Sequence, residues 1–153
     1  MGDIAHPTRA AVLTPLGPVT LVEDRGCLVR LDWRADPGEG SALLEEAVAQ
    51  LQAYFDRRLR RFDLPLDWGE GLNEAVRRAM ADIPLGETRT YGQIARAVGA
   101  PAQAVGQACG ANPLPILIPC HRVTGTDWFG GFSAPGGVET KAALLRHEGA
   151  LLL

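Results

Sequence analysis

Residues 90–110 read TYGQIARAVGAPAQAVGQACG, and their reading decides the fold of the second half of the chain. Thr90 followed three residues later by Gln93 has capping-box spacing: the hydroxyl reaches forward to a helix N–H and the amide reaches back. Ile94, Ala95 and Val98 give the helix that follows an apolar side. Gly99-Ala100-Pro101 breaks it, and Pro101 suits the first turn of a second helix, Ala102 to Gly110. The pattern is a helix-turn-helix. Its second helix is almost all small, with Ala102, Ala104, Gly106, Ala108 and Gly110, and the two glycines weaken it. A helix without a bulky outer face approaches another surface closely. That suits tight packing on a neighbouring helix and nucleic-acid recognition equally.

Outward from this stretch, Asn112-Pro113 ends the second helix, and the apolar run Leu114 to Ile118 is expected to be buried. Upstream, Leu72, Ala75, Val76, Ala79 and Met80 predict a helix stopped by Ile83-Pro84-Leu85-Gly86. Downstream, a Gly-rich loop over 125–137 leads to a last helix, Val138 to Glu148, ended by Gly149. The first third reads as strands: Ala11-Val12-Leu13, a turn at Leu16-Gly17-Pro18, then Val19 to Glu23 and a turn at Asp24-Arg25-Gly26. Cys27, Val29, Leu31 and Trp33 then alternate with Leu28, Arg30, Asp32 and Arg34, which places Cys27 on the apolar face.

Leu44, Val48, Leu51 and Phe55 predict an amphipathic helix over 42–60. Its basic end, Arg57-Arg58-Leu59-Arg60-Arg61, is read as a solvated face complementing the helix dipole in preference to a DNA or membrane contact. Residues 62–69, with Pro65, read as a linker. The expected class is α/β (α+β). A small N-terminal α/β domain with antiparallel strands spans 1–66, and a helical, winged-helix-like helix-turn-helix domain spans 67–153.

The composition agrees with a globular chain. Of 153 residues, 46% are hydrophobic and 22% charged, which is far from a disordered tail. The length buries a core without a metal or disulfide. No apolar run approaches the ~20 residues that span a bilayer, and the first ten residues lack a signal-peptide core. A cytoplasmic protein with no membrane partner is expected. Three cysteines without CxxC spacing argue against a disulfide framework or a zinc finger. The net charge of −3 argues only weakly against nucleic acid. From Thr88 to Thr126 there is no Asp or Glu, while Arg89, Arg96 and Arg122 all fall there, so a local surface can still tolerate phosphates.

Pro119-Cys120-His121-Arg122 is the stretch richest in chemistry. A thiol becomes a strong nucleophile on ionising. A His can take its proton, and a carboxylate on the far imidazole nitrogen supports the imidazolium. Consecutive side chains diverge, so a water between Cys120 and His121 would relieve the geometry. Glu148 is the candidate carboxylate, and His147 is a second candidate base. The alternative is a buried cysteine beside a surface histidine.

Asn112-Pro113-Leu114-Pro115-Ile116-Leu117-Ile118-Pro119-Cys120-His121-Arg122-Val123 resembles the active-site signature of the O6-alkylguanine-DNA alkyltransferases, also called methylated-DNA–protein-cysteine methyltransferases. Thr90 to Ala95, Ala104-Val105-Gly106, Gly130-Gly131-Phe132-Ser133 and Lys141 to Gly149 follow in the family order. The resemblance is detailed over roughly 70–150 and loose before that. It implies a cofactor-free suicide repair protein, monomeric, acting on double-stranded DNA through the minor groove. Cys120 would take the alkyl group from a guanine flipped out of the stack, and a helix of small residues would fit the narrow groove.

The resemblance also assigns roles. Cys120, His121 and Glu148 would form a water-linked relay. Asn112 would hold the turn between recognition helix and active site. Tyr91 would rotate the phosphate and donate to the guanine, and the Val123 carbonyl would accept from its amine. The Ser133 N–H would address the guanine oxygen, and Phe132 would shape the pocket. Arg89, Thr90, Ala102, Gln103, Ala104 and Gly106 would meet DNA. Three departures stand out. Gln103 replaces the family's intercalating Arg. The loop from Gly131 to Gly137 has Phe132 for Tyr and two added residues. Cys109 occupies a pocket-facing position that is often apolar, and reads as a core residue. His6 and Cys27 are too few for the zinc site of some relatives. The alternatives are a lesion-binding module without transfer and a thiol acceptor for a small-molecule alkyl donor.

Overall fold

Two tight turns fold the first strands into an antiparallel meander ordered β1-β2-β3, with β1 Thr8–Thr14, β2 Gly17–Asp24 and β3 Cys27–Asp32. Asp24 pairs with Cys27 across a two-residue loop. Arg25 and Gly26 both have positive φ, at 53° and 80°. That is the hairpin turn whose twist matches its strands. This computed structural model describes residues 7–127 and 129–151. His6 lies outside the described residues.

The simple alternation expected for β3 does not hold. Leu21 faces Leu31 and Val22 faces Arg30, but Glu23 faces Leu28, so Val29 is an extra residue. Such a bulge shifts the faces that follow. Leu28 and Leu31 both reach the core, whereas Cys27 and Val29 are only half-buried. Helix α1, Ala42–Phe55, is capped by Ser41, whose hydroxyl accepts from the Leu44 N–H at 3.1 Å. It packs on β1 and β2 through Leu44, Ala47, Leu51 and Tyr54. It ends five residues earlier than its periodicity suggests. Arg57 takes φ 60°, and the reversal brings Phe62 back to 5.5 Å from the Tyr54 ring. The basic run 57–61 therefore lies beyond the helix and does not complement its last turn. Nor are residues 62–69 a free linker. The Leu28 N–H donates to Pro65 O and the Asp67 N–H to Leu28 O, both at 2.9 Å, which adds a bridge alongside β3.

The chain divides into two compact units, Met1–Asp67 and Trp68–Leu153. In the second, α2 Gly71–Ala81, α3 Tyr91–Val98 and α4 Ala102–Gly110 pack on one another. Val76, Met80, Ile94, Val105 and Ala108 are buried. The expected capping box is present at α3: Thr90 Oγ1 accepts from Gln93 N at 3.1 Å, and Gln93 Oε1 accepts from Thr90 N at 2.8 Å. Gly99 ends α3 in the left-handed region, φ 71°. Two-residue strands β4, Arg89–Thr90, and β5, Val123–Thr124, pair in parallel. This ladder ties the start of α3 to the segment just after Cys120. Helix α5, Val138–His147, closes the unit, with Glu148 as its C-cap. Among the described residues no helix is long and apolar enough to cross a membrane.

Candidate active site

The turn that presents Cys120 is held from inside. The Asn112 amide donates to Ile118 O at 2.9 Å, and its carbonyl accepts from the Leu114 N–H at 3.0 Å. Between those points Ile116 sits at φ 72°. A β-branched residue rarely adopts that conformation, and the strain is of order 1–3 kcal/mol. Full burial of Leu114 and Ile118 on either side helps to hold it. The chain then enters a 3-10 turn, Cys120–Arg122, where the Cys120 N–H donates to Ile118 O at 2.7 Å.

The structure brings His121 and Glu148 together. His121 Nε2 and Glu148 Oε2 are 2.7 Å apart, and both side chains are fully buried. Arg122, counted from the sequence among the cations of a phosphate-tolerant surface, is instead buried and completes the group. Its Nε donates to Glu148 Oε1 at 2.8 Å, its Nη2 to Oε2 at 2.9 Å, and its Nη1 to Ile83 O at 2.7 Å. Burial alone would push the Glu148 carboxyl up. The His121 and Arg122 hydrogen bonds and charges outweigh it and bring the carboxyl down to about 2. Burial, assisted by the Arg122 and Lys141 charges, lowers the His121 pKa despite its Glu148 bond. The imidazole is thus neutral at neutral pH. With Nε2–H donated to Glu148, Nδ1 carries the lone pair. Nδ1 is buried and has no hydrogen-bond partner among the described residues.

Cys120 lines a cavity of about 200 Å3 with Gly106, Cys109, Gly110, Asn112, Pro115, Gly131, Phe132 and Ser133. Burial raises the Cys120 thiol above its ordinary value, and an Asn112 hydrogen bond, the Lys141 charge and its own backbone N–H offset only part of that rise, so the thiol rests protonated. Cys109 is different. Burial and the neighbouring Cys120 push it up to about 12, and its sulfur lies 3.5 Å from Met80 Sδ. It is an inert core thiol despite its place in the wall.

Of the other expected residues, Phe132 and Ser133 line the same cavity. The Ser133 hydroxyl donates to Gly110 O at 3.4 Å, and its N–H has no intramolecular partner among the described residues. The added loop residues fold into a local turn in which Thr140 Oγ1 donates to Pro135 O. Tyr91 and Val123 stand outside the cavity wall. The Tyr91 phenol is raised first by burial and then by the two thiols. The Val123 carbonyl already accepts from Lys141 Nζ at 2.6 Å. Ala102 and Gln103 are exposed at the start of α4, Ala104 and Gly106 are half-buried, and the Thr90 hydroxyl is occupied by its cap. Arg89 is held by Glu87 at 3.0 Å. Sequence reasoning missed Arg122 and Lys141. Their motifs were visible, but burial makes them part of the site.

Comparison with known proteins agrees with this geometry. Residues 10–68 match the family described as 6-O-methylguanine DNA methyltransferase, ribonuclease-like domain. Residues 71–150 match its DNA binding domain. A Mycobacterium bovis methylated-DNA–protein-cysteine methyltransferase is 42% identical, the match covering 88% of each chain. One from Methanosarcina barkeri is 39% identical, covering 88% of this chain and 92% of the relative. The crystal structure of Mycobacterium tuberculosis OGT in complex with DNA superposes with a TM-score of 0.81 at 40% identity, covering 94% of this chain and 93% of that one. With both halves matched and the His121–Glu148 pair beside the cysteine motif, the chain belongs to the 6-O-methylguanine DNA methyltransferase family.

Proposed function

We propose that this protein repairs O6-alkylguanine in double-stranded DNA by moving the alkyl group irreversibly onto Cys120. The observation that carries the reading is the buried His121–Glu148 pair at 2.7 Å, with Nδ1 of the same imidazole unpaired. In this reading the Cys120 proton passes to Nδ1 through one water, and Glu148 stabilises the imidazolium. The thiolate attacks the alkyl carbon in line. The carbon–oxygen bond breaks, its electron pair stays on the guanine oxygen, and a thioether forms on sulfur. Each molecule acts once, because nothing in the scheme removes the alkyl group.

The unpaired Ser133 N–H supports a role in stabilising charge on the departing oxygen. The Val123 carbonyl has a second lone pair beyond the one that Lys141 uses, so it can also accept from the guanine amine. Asn112 keeps the thiol turn in register with α4, Tyr91 rotates the phosphate and donates to the flipped base, and Phe132 bounds the pocket. Arg89, Thr90, Ala102, Gln103, Ala104 and Gly106 form the surface toward the minor groove. Exposure of Gln103 on the first turn of α4 supports its entry into the duplex in place of an arginine. The working division is an N-terminal domain over 1–66 and a DNA-binding, alkyl-accepting domain over 67–153. The reaction takes place in the cytoplasm, where thiols stay reduced.

The test is alkylation of the native chain and Cys120→Ser by a duplex holding one O6-methylguanine. Modification of the native chain alone, located at Cys120, supports the reading. Tight lesion binding without modification would turn it into a recognition module. Reaction with free alkylated bases and no stimulation by DNA would point to a small-molecule donor.

A further inference from the structure

Arg57-Arg58-Leu59-Arg60-Arg61 puts four arginines into five residues, and alkyl transfer at Cys120 makes no use of them. Complementing a helix dipole would explain them, but α1 ends at Phe55. The run belongs instead to a loop of fixed shape. At its start the Arg57 N–H donates to Tyr54 O at 3.1 Å and the Arg58 N–H to Ala53 O at 2.8 Å, with Arg57 in the left-handed region. At its end the Asp63 N–H donates to Gln50 Oε1 at 2.9 Å, and Gln50 Nε2 donates to Asp63 O at 3.0 Å. Both ends are thus tied to α1. Phe62 packs on the Tyr54 ring and Leu59 is half-buried. A surface loop closed on itself in this way holds its outward side chains in place, and such loops often carry function.

All four arginines are exposed. Arg58 pairs with Asp56 at 3.2 Å, with both partners in solvent, where such a pair is worth little. Among the described residues, the side chains of Arg57, Arg60 and Arg61 make no hydrogen bond or ion pair. The rest of the first unit holds more acids than bases, so its positive charge is concentrated in this loop. Like charges this close repel one another, and an anion from outside relieves that.

We propose that this loop is a duplex-DNA contact on the first unit, holding backbone phosphates without reading sequence. Guanidinium forks match phosphate oxygens in pairs. Five extended residues span at most about 18 Å, and duplex DNA presents one charge per ~1.7 Å of its axis, so the arginines meet phosphates at high density. The start of α4 supplies no such term, since Ala102, Gln103, Ala104 and Gly106 are all neutral. The arginine loop adds the counterion release that this surface lacks. An anionic membrane is a poorer fit. Leu59 and Phe62 are only half-exposed, so the loop has no free apolar side chain to insert. This inference rests on duplex DNA being the substrate, and not on the transfer step.

The test is binding of the full chain to an undamaged duplex at several salt concentrations. Changing Arg57, Arg60 and Arg61 together to Gln should flatten the slope of log K against log salt by about two to three, and weaken binding at ~50 mM salt by at least about tenfold. The control is Arg25→Gln, Arg30→Gln and Arg34→Gln together, an equal loss of charge at exposed arginines elsewhere on the same unit. It should move the slope by less than about one. The double variant Arg60→Gln, Arg61→Gln spares the left-handed Arg57 and should show about two-thirds of the triple effect; it decides alone should the triple variant fail to fold. A native slope in the loop variants, or an equal change in the control, overturns the proposal. So does loss of binding to phosphatidylserine vesicles with duplex binding kept, which would make the loop a membrane contact. If the native chain binds no duplex at all, the repair reading falls as well, whereas a native slope in the variants strikes the loop alone.

Discussion

Glu148 carries three hydrogen bonds from two side chains on the motif, and its titration becomes a stability term. Its folded carboxyl lies at about 2, below its ordinary 4.5. A depressed acid stabilises the fold fully above its unfolded value and loses that contribution as pH falls toward the folded one. The window is therefore about pH 4.5 down to about 2. Glu148→Gln should remove this dependence and strand the buried Arg122 guanidinium, costing about 3–5 kcal/mol at neutral pH. Urea melts across pH 2–7 check both parts; an equally steep acid loss in the variant would contradict the assignment. At this scale the pairing of His121 with Glu148 was legible, because the motif and the end of the last helix name them. Arg122 and Lys141 were not. A charged residue in a sequence reads as surface, and only packing reveals that both are interior.

The helices show where periodicity is a sufficient guide. The capping box and the Gly99-Ala100-Pro101 break fixed α3 and α4 because each is a local hydrogen-bond or φ requirement. Thr90→Ala removes the acceptor for the Gln93 N–H and should cost about 1 kcal/mol, measured as a lowered Tm with alkyl transfer retained below it. Strand β3 and helix α1 went differently. A bulge at Val29 and a left-handed Arg57 both answer to tertiary pairing, with β2 and with Tyr54, which alternation and helical spacing cannot register. The surface of α4 gives the second prediction at this scale. Gln103→Arg adds a cation to an exposed helix start. It should tighten duplex binding by up to about tenfold at low salt and steepen the salt dependence by about one phosphate contact. Titrations at several salt concentrations test this, and an unchanged slope would remove Gln103 from the DNA surface.

For the whole molecule, the net charge of −3 and an acid-free stretch around the site divide the labour. On the proposed reading DNA is met by a surface of mostly small and neutral residues with Arg89, so affinity is expected to be modest and salt-sensitive. The proposed relay runs through the buried His121–Glu148 pair, which salt reaches poorly. Raising salt should weaken binding while leaving the transfer rate at saturating DNA within about twofold. The measurement that tests the central claim most directly is intact-protein mass after mixing with a duplex bearing one O6-methylguanine, with Cys120→Ser alongside. The expected result is one methyl on every native chain, located at Cys120, and none on the variant. An unmodified native chain in the presence of bound lesion DNA, or a methyl that appears equally on Cys120→Ser, would contradict it.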